Sequence, residues 1–216
     1  MPVVTISRQF GAGGSSVAEL VAADLHAEIV DKNLVDEVAA ELNLKPADVE
    51  AESEHPRKWI ERVIRSFSSL EPALGAAWTP PYPDPFFDPR AEIIRLTEET
   101  IKVAASSGNV VIIGRAAGLL LRDRIDVFRV FLRAPEEARV RTLMERYAWT
   151  EAVAKRKLHE TDTNRAAYTK QLYGRDWCDP DEYDLIVNTG RVDYRTAADM
   201  ILRGVGRRSE VPAGAK

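Results

Sequence analysis

Short apolar runs alternate along this chain with longer segments of helical periodicity. Several of the runs are almost continuously apolar, as in Val110–Ile113, which is typical of parallel strands that are covered on both faces. Five runs have this strand character: residues 3–7, 28–31, 109–114, 127–133 and 184–188. Strands that alternate with helices predict an α/β fold built on a doubly wound parallel sheet.

The intervals between the predicted strands are unequal. About twenty residues separate the first two strands, whereas nearly eighty separate the second from the third. The long interval contains a charged helical stretch, residues 46–69, and then residues 78–89, where five prolines exclude a regular helix or a central strand. Two uses stay open for the aromatic side chains of this stretch: a lid over an acceptor, or a contact between two copies of the chain in a homodimer. The last interval, residues 136–184, predicts two helices and a basic, polar connector.

Bulk composition excludes several classes of function. The chain has 216 residues, a formal net charge of −4 and a pI near 5.6, which argues against binding of a nucleic acid polymer. No apolar run approaches the ~20 residues that span a membrane, and the N-terminus shows no signal-peptide pattern, so we expect a cytoplasmic protein. The single cysteine, Cys178, excludes an internal disulfide, and the three histidines lack the spacing of a metal site.

The most specific feature is a glycine-rich stretch, residues 7–16, between the first strand and the first helix. A strand, a glycine loop and a helix form the context of a phosphate-binding loop, in which backbone N–H groups and the helix N-terminus face the anion. The P-loop pattern aligns with residues 8–15, and Gly13 and Ser15 match it. Arg8 takes the position of the first glycine, however, and Gly14 takes that of the phosphate-binding lysine. The alternative for the loop is a tight strand-to-helix turn with small residues for packing. Ser15 and Ser16 would bind Mg²⁺ and a phosphate or cap the first helix, and both uses can hold at once.

Four arginines are candidates for phosphate binding because the planar guanidinium grips phosphate oxygens with two donors. Arg8 lies in the loop, Arg115 follows the third strand, and Arg139 and Arg165 lie in segments that would close over phosphates. The alternative for a surface arginine is a solvated helix face or a weak ion pair. Asp31, at the end of the second strand, either holds a Mg²⁺-bound water or an acceptor hydroxyl, or caps the next helix.

Together, several segments in order resemble the cytidylate-kinase-like branch of the P-loop nucleoside monophosphate kinases. In that branch a Gly-x-Gly-Gly loop often replaces Gly-x-Gly-Lys, and residues 162–165 are similar to its mobile lid. Ala116 departs from the pattern, since cytidylate kinases carry an aspartate after Gly-Arg. The segments that carry the resemblance are residues 7–16, 29–32, 113–115, 130–141, 162–165 and 183–189.

The resemblance implies a three-layer P-loop NTPase fold, with a five-stranded parallel sheet and helices on both faces. It implies one kinase domain over residues 1–208, with an acceptor-binding insert over about 45–95 and a lid over about 155–182. Residues 209–216 would form a flexible tail.

By the same resemblance, the chain would transfer the γ-phosphate of ATP, with Mg²⁺, to a small acceptor, a nucleoside monophosphate such as CMP. Arg8, Arg139 and Arg165 would supply the charge of the absent lysine, Asp31 and Arg115 would hold the acceptor, and Ser15 would bind the metal. The phosphates would lie on Gly11, Ala12, Gly13, Gly14, Ser15 and Ser16. Three alternatives stay open: a kinase of a non-nucleotide metabolite, a nucleotide-binding sensor or assembly protein, and, more weakly, a dinucleotide-binding protein.

Overall fold

The computed structural model describes residues 2–31 and 89–208, without the side chains of 89–93 and 208. The chain divides into two compact units, which are Met1–Ile29 with Gly108–Lys216, and Val30–Ser107. In the second unit the described part is the end of a strand, Asp31 and one helix. The predicted insert at about 45–95 lies mostly outside the described residues, and the predicted tail at 209–216 lies wholly outside them.

The described elements alternate between strands and helices. The strands are β1 (Val3–Arg8), β2 (Glu28–Val30), β3 (Val110–Ile113), β4 (Val127–Arg133) and β5 (Leu185–Asn188). The helices are α1 (Gly14–Leu25), α2 (Pro89–Ser107), α3 (Ala117–Leu120), α4 (Glu136–Tyr147), α5 (Glu151–Tyr173) and α6 (Tyr194–Arg208), with a 3₁₀ turn at Pro180–Glu182. The five predicted strands are confirmed, and so are the two helices predicted between residues 136 and 184.

The strands form one five-stranded parallel sheet in the order β2-β3-β1-β4-β5. Strand β1 is central, since Ile6 lies beside Ile113 on one side and beside Val130 on the other. The chain runs from β1 to the β2 edge, returns through β3 and then passes β1 to reach β4. The connections therefore change direction at β1, and such a switch point at the carboxyl ends of the strands is where open α/β sheets bind ligands.

Helices cover both faces of the sheet. On one face, alanine-rich surfaces of α1 and α6 pack closely against each other and against Val4, Ile6 and Val130. On the other face, α3 lies over Thr5, whose hydroxyl oxygen would be 3.2 Å from a Cβ on Gly118. Both faces of β1 are thus buried, which explains why its sequence is a continuous apolar run rather than an alternating one.

A second, smaller core joins α4 to α5. Val140 and Leu143 of α4 pack on Ala154 and Leu158 of α5, and Phe10, from the glycine-rich loop, packs against this cluster. The loop after β1 is therefore anchored to a helix pair as well as to the sheet. Within the described residues, no helix combines the length and the apolar character that a membrane crossing requires.

Candidate phosphate-binding site

The loop between β1 and α1 reverses the chain through two left-handed glycines. Gly11 has φ +81° and Gly13 has φ +74°, a region that side-chain-bearing residues enter only with strain. Gly13 is also the N-cap of α1, and no side chain caps this end. Ser15 and Ser16 lie inside the first turn of α1, so the alternative that they cap the helix is wrong. The free backbone N–H groups of this turn are those that bind anions in other proteins.

Close packing is a second reason why only glycine fits at positions 11 and 13. A Cβ on Gly11 would lie 2.9 Å from the backbone oxygen of Arg139, and one on Gly13 would collide with the ring of Tyr194. Helix α4 therefore supports the loop at Gly11, while the first residue of α6 covers it at Gly13. The loop is held between these helices in a conformation that only glycine at both positions permits.

The Arg8 side chain occupies the space beside Gly14. A Cβ on Gly14 would lie 2.6 Å from Cγ of Arg8, and a Cβ on Gly114 would collide with the Arg8 guanidinium. The side chain thus runs from the end of β1 across the N-terminus of α1 to the carboxyl end of β3. Gly14, where the P-loop pattern has lysine, is the residue that leaves this path open.

Polar contacts tie the loop to the ends of β4 and β5. The Gln9 backbone N–H donates to the Leu132 carbonyl at 2.9 Å, and its side-chain oxygen accepts from the Ala134 N–H at 3.1 Å. The Thr189 hydroxyl, directly after β5, lies 3.0 Å from the carbonyl oxygen of Ala12. These contacts fix the start and the middle of the loop from outside it.

Arg139 and Asp162 hold the loop at Phe10. The Phe10 N–H donates to Asp162 Oδ1 at 2.8 Å, Arg139 Nη1 donates to the Phe10 carbonyl at 3.3 Å, and the same Nη1 pairs with Asp162 Oδ2 at 2.5 Å. The Arg139 side chain is only 8% exposed. Arg139 therefore contacts the loop backbone and Asp162, and it does not line the cavity described below.

Arg165, three residues after Asp162 on α5, faces the loop as well. Its Nη1 donates to the carbonyl of Arg8 at 2.8 Å, and its guanidinium lies 5.7 Å from the centre of the Phe10 ring. Burial is the main cause that lowers the pKa of this guanidinium, although an arginine stays charged at neutral pH.

A cavity of about 550 Å³ opens above the loop. The residues predicted to bind phosphate that line it are Arg8, Gly11, Gly13, Gly14, Ser15, Ser16 and Arg165. Ala12 is buried beneath it. A volume of this size accommodates a nucleotide. Its floor is the helix N-terminus, and three arginines line it: Arg8, Arg146 and Arg165.

The turn after β3 has an unusual backbone. Gly114, Arg115 and Ala116 have φ of +76°, +53° and +52°, so two side-chain-bearing residues follow the glycine in the left-handed region. The Gly114 N–H donates to the Ile6 carbonyl at 3.0 Å, which fixes the turn to β1. Consecutive left-handed residues of this kind are strained and are found mainly at functional sites.

Asp31 is the first residue after β2 and is partly buried. It belongs to the second compact unit, Val30–Ser107. The helix that it was predicted to cap lies outside the described residues.

Sequence reasoning missed the contacts of Asp162 and Tyr194 with the loop. The spacing of Asp162 and Arg165 places both on one face of a helix, and that signal was available. The contact of Asp162 with Phe10 joins positions 152 residues apart and has no local signature.

The sheet order, the glycine loop and the helix N-terminus define the P-loop fold of the nucleoside-monophosphate-kinase type. The model of the cytidylate kinase-like family matches residues 3–191, and the chain belongs to that family.

Curated relatives of the chain are named cytidylate kinases. The one from Methanococcoides burtonii is 25% identical over 118 residues, which cover 55% of this chain and 65% of that protein. The one from Methanocaldococcus jannaschii is 33% identical over 99 residues, covering 45% and 56%. The chain thus spans between about half and two thirds of the length of these relatives.

Solved structures share the fold. An uncharacterized protein from Eubacterium ventriosum has a TM-score of 0.69 at 22% identity, covering 95% of this chain and 99% of that one. The shikimate kinase from Bacteroides thetaiotaomicron has a TM-score of 0.50 at 15% identity, covering 97% and 99%. At these identities the likeness extends to the fold alone.

Proposed function

We propose that the protein is an ATP-dependent phosphotransferase that moves the γ-phosphate to a small acceptor, a nucleoside monophosphate such as CMP. The observation that carries the proposal is the path of Arg8, because its aliphatic part passes Gly14, the position of the P-loop lysine, and its guanidinium lies against Gly114. Membership in the cytidylate kinase-like family, and the names of the curated relatives, support the same choice.

Phosphoryl transfer needs precise positioning and positive charge around the transferred group more than it needs covalent chemistry from the protein. The N–H groups of Gly11 and of residues 13–16, with the dipole of α1, would bind the ATP phosphates, while Arg8 and Arg165 would offset their charge. The predicted contribution of the Ala12 N–H is wrong, because it donates to the Gln9 carbonyl at 3.2 Å. Ser15 lines the cavity from the first turn of α1 and is the proposed ligand of Mg²⁺. That ion would neutralise phosphate oxygens, as it does in other kinases.

Asp31 and Arg115 are proposed to hold the acceptor, as the resemblance to cytidylate kinases implies. The strained turn supports a functional role for Arg115, since backbone strain of this kind is retained where a side chain must point in one direction. Ala116 offers no hydrogen bond to a base or a ribose. CMP therefore rests on the names of relatives, and the assay must include other acceptors.

The test is a coupled ADP-release assay with ATP and Mg²⁺ against the common nucleoside monophosphates and a set of metabolite alcohols. We expect turnover with a nucleoside monophosphate that falls strongly in Arg115→Ala and in Asp31→Ala. Arg203→Ala is the matched control, because Arg203 is exposed on α6 away from the cavity. Turnover with an alcohol alone would assign a metabolite kinase, and ATP binding without any turnover would assign a nucleotide sensor.

A variant with an expected gain of activity tests whether CMP is the acceptor. Ala116→Asp restores the Gly-Arg-Asp sequence of cytidylate kinases, and aspartate tolerates a left-handed backbone better than most residues do. If CMP is the acceptor, we expect kcat/KM for CMP to rise while KM for ATP stays the same. An unchanged or lower kcat/KM for CMP, together with unchanged turnover of another acceptor, would contradict the assignment of CMP.

A further inference from the structure

We propose that Asp162 is a positioning residue for the phosphate loop, which acts by clamping the Phe10 peptide together with Arg139. The inference concerns the proposed phosphate site and rests on it. Asp162 comes from α5, Arg139 from α4 and Phe10 from the loop, so the clamp joins three parts of the chain that are distant in sequence.

The clamp engages both polar groups of one residue. Asp162 accepts the Phe10 N–H at 2.8 Å, Arg139 donates to the Phe10 carbonyl at 3.3 Å, and the two side chains pair with each other at 2.5 Å. A single hydrogen bond would leave the loop free to rotate about it. Closing the three contacts into a ring fixes the direction in which the chain enters Gly11.

The clamp lies directly before the part of the loop that lines the cavity, so it affects anion binding there. The next residue, Gly11, lines the cavity and would bring a Cβ within 2.9 Å of the Arg139 backbone. A shift of Phe10 would therefore reorient the N–H groups that follow it in the loop. Anion binding by backbone N–H groups depends on their common direction, so a small rotation at Phe10 reduces it.

Stability alone is a poor explanation of this pair. The side chains of Arg139 and Asp162 are only 8% and 17% exposed, and burying an ion pair loses hydration that its mutual attraction often fails to recover. The contacts of both side chains with the loop backbone are what the pair adds beyond a simple ion pair. This favours a role in specifying the loop conformation.

Asp162 also organises the charge near the cavity. A carboxylate close to a polyphosphate would repel it, but Arg139 pairs with Oδ2 and Arg165 Nη1 lies 3.7 Å from Oδ1. The group of three therefore carries one net positive charge. Through the same contact Asp162 holds Arg165 where its guanidinium both reaches the Arg8 carbonyl and lines the cavity.

The experiment measures binding of inorganic tripolyphosphate and of ATP by calorimetry to the full-length chain, with thermal unfolding of every variant. Asp162→Ala is expected to weaken both ligands roughly tenfold to hundredfold, the scale of an unsatisfied buried polar group. Asp162→Asn keeps one oxygen for the Phe10 N–H and is expected to recover part of the affinity. Glu160→Ala is the matched control, since it removes an exposed carboxylate from the same helix and is expected to change nothing.

In turnover assays, Asp162→Ala is expected to raise KM for ATP and to leave KM for the acceptor within about threefold. The inference is overturned if a folded Asp162→Ala binds tripolyphosphate as the wild type does. If Asp162→Ala does not fold, Asp162→Asn decides, and wild-type affinity in that variant overturns the inference. A wild type that binds tripolyphosphate in an Asp162-dependent way but phosphorylates no acceptor would uphold the clamp and refute the proposed function.

Discussion

The turns after β1 and β3 follow neighbouring strands, yet the sequence builds them differently. After β1, the left-handed residues are Gly11 and Gly13, and they adopt that conformation at little cost. After β3, the left-handed region extends from Gly114 into Arg115 and Ala116, at roughly 1 kcal/mol for each residue with a side chain. The first turn is relaxed in its backbone, whereas the second is strained.

Different interactions therefore hold the two turns in their conformations. Contacts from outside fix the loop after β1, since α4, α5 and α6 each place a side chain or backbone atom against it. The turn after β3 is tied to β1 through the Gly114 N–H, and its left-handed backbone continues into Arg115 and Ala116. Arg8 connects the two, because its side chain starts at the end of β1 and ends against Gly114. The loop that is proposed to bind phosphate is thus supported along its length, while the turn that carries Arg115 is strained at Arg115 and Ala116.

Removal of the connecting side chain should have the largest effect. We predict that Arg8→Ala lowers kcat about 10²–10³-fold, the usual cost of losing one preorganised charge donor in a transition state. Arg8→Lys should recover part of that rate, because it keeps the charge but not the planar fork. The measurement is steady-state kinetics with ATP and the best acceptor.

Arg203→Ala serves as the control for Arg8, since it removes an exposed arginine from α6 and should keep the wild-type rate. If Arg8→Ala instead keeps kcat within threefold of wild type, then Arg8 does not replace the lysine, and the charge must come from elsewhere.

The second prediction concerns the coupling of Gly14 to Arg8. Gly14→Lys restores the P-loop pattern, but its Cβ would lie 2.6 Å from Cγ of Arg8, so the two long side chains compete for one space. We predict that Gly14→Lys lowers the free energy of unfolding by about 1–3 kcal/mol through overpacking, and that it lowers kcat/KM for ATP because Arg8 is displaced. Gly14→Ala should cause a smaller loss by the same clash.

A double-mutant cycle isolates this clash. Combined with Arg8→Ala, Gly14→Ala should cost no further unfolding free energy, because helix α1 then gains an alanine and loses the obstructing side chain. Purely additive effects of the two substitutions on unfolding would show that Gly14 is required for another reason.

Part of the fold and part of the site could be predicted from the sequence. The five strands follow from apolar runs, and the glycine loop follows from its place between strand and helix. The identity of Arg8 as a substitute for lysine was inferred from its position, but its route past Gly14 and Gly114 depends on two strands meeting side by side. The clamp at Phe10 depends on α5 folding back onto the loop, which no local pattern encodes. The expected capping by Ser15 and Ser16 failed because the left-handed Gly13 takes the N-cap position itself.

The third prediction concerns Tyr183, whose hydroxyl contacts strand β1 at Ser7. The Tyr183 hydroxyl donates to the Trp177 carbonyl at 2.7 Å and also interacts with Ser7, just before Arg8. Burial raises the pKa of Tyr183 to about 12, partly offset by the Ser7 hydrogen bond. At pH 8, Tyr183→Phe should lose about 1 kcal/mol of unfolding free energy, because it leaves the buried carbonyl unpaired.

The sign of the pH effect follows from the raised pKa. An unfolded tyrosine ionises near pH 10, whereas the folded one holds its proton to about pH 12, so the wild type loses stability between these values. The phenylalanine variant lacks this loss, and the two stability curves should cross between pH 10 and pH 12. Urea unfolding at intervals of half a pH unit measures this, and parallel curves would show that the Tyr183 hydroxyl titrates normally.

The smallest effect is expected from substitution of Ala116. This substitution tests most directly whether backbone strain distinguishes the turn after β3 from the loop after β1. Ala116→Gly removes the Cβ that opposes the left-handed backbone, so we predict a gain of about 0.5–1 kcal/mol in unfolding free energy. The same change at Ala117, which lies in the helical region of α3, should lose a similar amount. If strain is what aims Arg115, Ala116→Gly should also lower kcat/KM for the acceptor several-fold while KM for ATP stays unchanged, although the protein is more stable. A more stable variant with full activity would show that the strain is incidental and that the turn after β3 is fixed by its contacts, like the loop after β1.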